Sequence, residues 1–255
     1  MAQWLRFEHQ GQQGFGTLLG DRIELHEGEL FGAPRPTGAT LGLSEVVLLP
    51  PCAPTKMLGL WNNFHLRAQR EGWAQPPHPL YFCKLSNSYL AGGQTIRRPH
   101  GYHGAVVFEG ELGIVIERRC ERVAEAEADD YIFGYTCVND VTARDILRAD
   151  ASFDQWTRAK GFDTFGVFGP VIATGLDVST LVVRSLLDGE EKQNYPVSDM
   201  FASPRQIVSQ MSHDMTLYPG DVIACGTSVG AGPMPPGSEI AIVIDGIGAL
   251  INRIE

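Results

Sequence analysis

Residues 106–116 read Val-Val-Phe-Glu-Gly-Glu-Leu-Gly-Ile-Val-Ile, and the fold is read outward from them. β-Branched and aromatic residues dominate, which predicts a strand. Two glutamates, Glu109 and Glu111, interrupt it. Side chains alternate along a strand, so residues two apart share a face. Both carboxylates therefore point the same way, about 6–7 Å apart along the strand. Like charges in an apolar run are costly unless a cation compensates, and no basic residue follows until Arg118. A second apolar stretch, residues 132–138, predicts a strand ending in Asn139-Asp140. Together the two strands offer a three-oxygen set, Glu109, Glu111 and Asp140. Oxygen-only ligation suits Mg²⁺, Mn²⁺ or Ca²⁺ better than zinc. Taken alone, an E-x-E pair more often faces solvent or is covered by Lys and Arg, and that reading stays open here.

The rest of the chain predicts a mainly β protein with few helices. Residues 3–9, 17–19 and 22–26, separated by GQQGFG and a Gly20-Asp21 turn, have the spacing of a small β-meander. Residues 32–55, with GAPRPTG and LLPPCAP, read as a connector. The predicted layout is a small N-terminal β domain at 1–50 and a main domain at 51–255. In the latter, residues 56–61 and 81–84 read as short strands around a helix at 62–71, capped by Asn62 or Asn63 and stopped by Gly72. Residues 124–131 and 142–149 read as helical turns, and 203–212 as a helix. Residues 167–174, 180–187, 222–224, 239–244 and 249–253 read as strands. The 29 glycines and 16 prolines agree with many turns and short elements.

A net charge of −10 with no basic stripe argues against a nucleic-acid partner. Five cysteines without a C-x-x-C motif argue against a disulfide framework or zinc ribbon and fit a reducing cytoplasm. The start, MAQWLRFEHQ, lacks the pattern of a signal peptide, and no run approaches the ~20 apolar residues of a membrane helix. A cytoplasmic protein without membrane contact is expected.

Five blocks occur in order: FEGELGIVI (108–116), GYTCVNDVTARD (134–145), KGFDTFGVFGP (160–170), YPGDVIACGTSVG (218–230) and DGIGALINRI (245–254). They resemble the successive signature blocks of the fumarylacetoacetate hydrolase (FAH) superfamily, over residues 54–255. The resemblance implies a rolled, barrel-like β-sheet main domain, a homodimer, and a divalent ion on Glu109, Glu111 and Asp140. It also implies a lysine facing the metal-bound substrate, here Lys160, and a pocket arginine, here Arg144. Thr227 and Gly226, in the loop CGTSVG, match a segment that contacts substrate, where hydroxyl and amides suit a carboxylate. The block Gly59–His65 resembles G-x-N-Y-x-x-H, which opens a lid helix in relatives and makes His65 the candidate base.

The residues also admit plainer readings. Lys160 can be a surface lysine, Arg144 can pair with Asp145 or Asp150, Thr227 can be part of a plain turn, and a lone helical histidine is often structural. The chain departs from the family pattern at several positions. The N-Y pair reads Trp61-Asn62, a frequent glutamine is Leu147, and the proline after the threonine is Ser228. Hydrolytic relatives usually carry a glutamate three residues after the histidine, where this chain has Ala68. Glu71 is the nearby carboxylate that could take its place.

The resemblance implies an enzyme acting on a small 2-oxo acid chelated to the metal, an aromatic-acid catabolic type being similar. The first expectation is hydrolysis of a C–C bond in an acylpyruvate through an enolate. The alternative is decarboxylation or isomerisation (tautomerisation) of a 2-oxo-alkenedioate, such as 2-hydroxyhepta-2,4-diene-1,7-dioate. A non-catalytic metal-binding relative and a lectin-like β module are the readings from other classes.

Overall fold

A computed structural model describes residues 1–255. Strands dominate, and the largest sheet has twelve. At its centre lies Gly110–Ile116, buried at all seven positions. It pairs antiparallel with Ile132–Asp140 on one side (Gly110↔Asn139, Leu112↔Cys137) and with Val222–Ala224 on the other (Gly113↔Ala224). Burial on both faces explains why this run reads as continuous rather than alternating apolar sequence. Beyond Val222–Ala224 come Met57–Trp61, in parallel, and the edge strand Leu80–Lys84. The chain then turns into Tyr89–Leu90, which adds in parallel to Gly166–Ala173, itself paired with Ile132–Asp140. The sheet thereby curls back onto its own centre, which is the expected roll.

The predicted strand 106–116 is in fact two. Val106–Phe108 joins a separate three-stranded sheet with Thr142–Ala143 and Gly232–Pro233, and Gly110–Ile116 belongs to the large one. Glu109 sits at the changeover. A five-stranded sheet (Glu190–Pro196, Val182–Leu187, Glu239–Ile244, Gly248–Ile254, Thr95–Ile96) packs over the central strands. The approach is close enough that a Cβ on Gly110 would lie 2.2 Å from Ser185 Oγ. Only glycine fits between the two glutamates.

The N-terminal strands are hydrogen-bonded onto the same large sheet, through Gln3↔Ala173 and Trp4↔Ile172. The connector read at 32–55 contains two strands, Arg35–Gly42 and Val47–Leu49. The first is an edge strand whose side chains are mostly exposed. It carries no apolar pattern, and backbone pairing with Arg22–Glu27 makes it a strand. Glu190–Pro196 escaped the sequence reading for a similar reason, being mostly polar with only Gln193 and Tyr195 turned inward.

The helix Pro204–Asp214 begins at Ser203 with a reciprocal Ser203–Gln206 capping box. The short helix spans His65–Glu71 and stops, as expected, at the left-handed Gly72. Its cap is not Asn62 or Asn63. Asn63 instead bonds Cys225 and Ala202, Asn62 donates to Ala74 O, and Asp199 accepts from Leu66 N at the helix start. No helix is long and apolar enough to cross a membrane.

Candidate active site

Strand pairing brings the three acidic residues to one end of the sheet. Gly110 lies opposite Asn139, and Asp140 N donates to Glu109 O at 2.9 Å across the two strands. Asn139 Oδ1 accepts from Glu109 N at 3.1 Å, which fixes the backbone where it passes between sheets. Carboxylate oxygens of Glu109, Glu111 and Asp140 all lie within 4.8 Å of one another. Glu111 and Asp140 are each 1 % exposed, so water cannot screen their repulsion.

Cations reach this cluster from distant parts of the chain. Lys160 Nζ bridges Glu109 Oε2 and Asp140 Oδ2. Lys84 Nζ donates to Asp140 Oδ1 at 2.5 Å and to Val141 O at 3.1 Å. Arg67 Nη1 stands 3.6 Å from Glu109 Oε1, and Thr142 Oγ1 donates to Glu109 Oε2 at 2.8 Å. Burial alone would raise the Glu109 carboxyl, but Lys160 and then Arg67 outweigh it and pull it down to about 2. Lys160 is likewise held above the ordinary lysine range, since Asp140 and Glu109 overcome the effect of burial. Lys84 moves the other way, because burial, with the Lys160 charge beside it, favours the neutral amine.

Glu111 lacks a cation of its own. Its protein partner is the Gly226 amide, at 2.8 Å. Burial, then the charges of Asp140 and Glu109, push it well above the ordinary carboxylate range. A buried carboxylate in this position calls for a proton or an added cation. An all-oxygen donor set with this uncompensated charge fits a hard divalent ion.

The peptide between the glutamates is fixed by a buried polar network. Gly110 O accepts from Tyr195 OH at 2.5 Å and Thr227 Oγ1 at 2.9 Å, while Gly110 N donates to Gln193 Oε1 at 3.0 Å. Gln193 Nε2 also donates to Thr227 Oγ1 at 2.8 Å, and Ser185 Oγ donates to Gln193 Oε1. The Thr227 hydroxyl and the Gly226 amide, read from sequence as substrate contacts, are thus engaged in holding the glutamate strand. Gly226 has φ +88° and its Cβ would lie 3.1 Å from Leu60 O, so glycine is required there.

The cluster opens into a cavity of about 600 Å³. Arg67, Arg70 and Glu71 line it, spaced three and four apart on one helix face. Glu71 is therefore at the cavity. His65, two residues before Arg67, lies about 160° round the helix from it. It is exposed and packs edge-on against Phe201 at 4.1 Å, and it does not line the cavity. The structure therefore does not bring His65, read from sequence as the candidate base, together with the acidic cluster. Ala68 is buried within the helix contact, 2 % exposed. Arg144 lines the cavity and forms no ion pair with Asp145 or Asp150.

The residues missed from sequence are Lys84, Gln193 and Tyr195. Lys84 had a signal: it alternates in phase with buried Phe82 on the edge strand. Gln193 and Tyr195 share one strand face in the same way, but nothing in the sequence says what that face meets.

Comparison with known proteins agrees with this architecture. Residues 56–255 match the family described as fumarylacetoacetate hydrolase, C-terminal, and residues 2–51 match an Rv2993c-like N-terminal family. The chain belongs to the fumarylacetoacetate hydrolase family. It is 38 % identical over 204 residues to the mitochondrial oxaloacetate tautomerase of Arabidopsis thaliana, covering 79 % of this chain and 91 % of that one. The crystal structure of 2-hydroxyhepta-2,4-diene-1,7-dioate isomerase from Mycobacterium marinum superposes with a TM-score of 0.91 at 36 % identity, covering 100 % and 98 % of the two chains. Maleylpyruvate hydrolase from Sphingobium, solved with manganese(II) and pyruvate, superposes with a TM-score of 0.80 at 26 % identity, covering 99 % and 98 %. The family thus spans tautomerase, isomerase and hydrolase activities.

Proposed function

We propose that this protein is a divalent-metal-dependent enzyme that interconverts the keto and enol forms of a 2-oxo acid. The observation that carries this reading is the convergence of Glu109, Glu111 and Asp140 within 4.8 Å, with Lys160 against two of them, at the floor of one cavity. Glu109, Glu111 and Asp140 would hold the ion, with Mg²⁺ or Mn²⁺ suited to their oxygens. Such an ion supplies Lewis-acid polarisation of a chelated 2-oxo carbonyl.

The chain's own groups supply the rest. The Lys160 ammonium hydrogen-bonds the 2-oxo oxygen as negative charge develops there. Arg144 and Arg148, free of ion pairs on the cavity wall, hold substrate carboxylate. Glu71 carries the proton between C3 and the 2-oxo oxygen, so the reaction is a relocation of one proton with no atom gained or lost.

Tautomerisation is preferred over C–C hydrolysis because His65 faces Phe201 and Ala68 stands where hydrolytic relatives carry glutamate. Hydrolysis of an acylpyruvate is the second reading, favoured by the position of Glu71 on the cavity face. Two assays with Mg²⁺ separate them. Accelerated enol-to-keto conversion of oxaloacetate without acetylpyruvate cleavage is the expected result. Pyruvate and acetate from acetylpyruvate, with oxaloacetate unaffected, would establish hydrolysis instead. Activity on no 2-oxo acid would reject both.

A further inference from the structure

Three of the four tryptophans line the cavity that holds the acidic cluster. They come from separate places in the chain: Trp61 ends a strand, Trp73 follows Gly72, and Trp156 opens the helix that closes with Lys160. Trp156 and Lys160 are four residues apart, so both face the cavity. The rings form a continuous path. Lys160 Nζ stands 4.7 Å from the Phe82 ring centre. Phe82 stacks on Trp156 at 5.3 Å with planes 17° apart. Trp156 meets Trp61 edge-on at 6.0 Å, and Trp61 lies 4.7 Å from Trp73. Arg67 lies 5.8 Å from the Trp73 ring and 3.6 Å from Glu109. The aromatic path therefore begins and ends at the acidic cluster.

All three indoles stay only half-buried although each already packs on another ring. Apolar area left wet in a cleft forgoes hydrophobic stabilisation that a ligand covering it recovers. A cavity of about 600 Å³ is also far larger than a four-carbon dianion needs. Aromatic faces gain further from offset or edge-on stacking with a second planar ring.

We propose that the cavity selects 2-oxo acids bearing an aromatic ring on C3, the ring lying on the Trp61–Trp156 wall and the 2-oxo carboxylate end at the acidic cluster. This names the substrate class of the site and rests on the tautomerase reading above. The chemistry is consistent with it. Moving the C3 proton to the 2-oxo oxygen creates a double bond conjugated with the ring. The enol is then flat and lies along a flat wall. No co-reactant is needed.

The test uses the protein loaded with Mg²⁺, with phenylpyruvate and oxaloacetate as substrates. Wild type is expected to show a higher kcat/KM for phenylpyruvate. Trp156→Ala should lower the phenylpyruvate-to-oxaloacetate ratio of kcat/KM by about 10- to 100-fold, and Trp156→Phe should retain most of it. A wild-type preference for oxaloacetate, or a ratio unmoved by Trp156→Ala, overturns the proposal. Calorimetry with 3-phenyllactate and lactate reads binding without turnover. Tighter binding of 3-phenyllactate supports the aromatic wall even if neither oxo acid is converted, in which case the tautomerase reading alone fails. Equal affinity of the two hydroxy acids overturns the wall.

Discussion

At the floor of the cavity each charged side chain is buried or nearly so and has a fixed partner. At the rim, Arg70, Glu71, Arg144 and Arg148 are exposed and form no ion pairs. The floor is built from central strands whose register places Glu109 beside Asp140 and whose backbone is clamped by Gln193, Tyr195 and Thr227. The rim is built from short helices, His65–Glu71 and Arg144–Leu147, and the turns around them. The charges of Glu109, Asp140, Lys84 and Lys160 in the dry floor are each held by several partners within the protein. Charges at a wet rim are weakly held and adapt to what binds. The departures from the family pattern at Trp61 and Leu147 also fall on the cavity wall, so in the proposed function the floor carries the chemistry and the rim the selectivity.

The sharpest way to break this contrast is Asp140→Ala. It leaves Lys84 and Lys160 without a shared carboxylate, so turnover should be abolished and thermal unfolding should show a loss of about 3–5 kcal/mol. Retained turnover would mean the floor is not the reacting centre. Metal removal comes next. EDTA should abolish activity, Mg²⁺ or Mn²⁺ should restore it, and unchanged activity in chelator would refute the metal assignment.

Metal affinity should also depend on pH. Glu111, raised chiefly by burial, must release a proton when the ion binds, so affinity should fall as pH drops through its raised value. Calorimetry of Mn²⁺ binding in two buffers of different ionisation enthalpy reads that proton. In the metal-free protein, the raised Glu111 contributes stability below the ordinary carboxylate range that is lost as pH rises. Glu109, held at about 2, contributes stability above the ordinary carboxylate range that is lost as pH falls towards 2.

At the rim, Glu71→Gln should slow proton relocation by about 10²–10⁴ if Glu71 carries the proton. His65→Ala is the smallest effect, a change of less than about threefold, against the 10²–10⁴ due to a general base. A large loss at His65 with none at Glu71 would reverse the roles of the two helix faces and restore the hydrolytic reading.

Much of the floor was legible in the sequence as two glutamates flanking one glycine in an apolar run, although Glu109 sits at the break between two strands and is placed by Asn139 and Asp140 rather than by alternation along one strand. Asp140 was legible as the end of an apolar run. The cations were not, since Lys84 lies 56 residues from Asp140 along the chain and meets it only through the curl of the sheet. The edge strand Arg35–Gly42 was missed because exposed strands carry no apolar period. The position of His65 outside the cavity was not legible, because a motif match fixes a residue's place along the helix but not which face meets the cavity.

By itself the sequence determined the mainly β architecture and, together with the family resemblance, an acidic set of oxygen donors that suits a hard cation. Those follow from periodicity, side-chain chemistry and ligand hardness, which are local properties. Only the tertiary structure decided that Lys84 and Lys160 neutralise Asp140, that Thr227 clamps Gly110, and that three tryptophans share one wall. Those depend on which distant strands and loops meet, and that is fixed by sheet closure and packing rather than by any short stretch of chain.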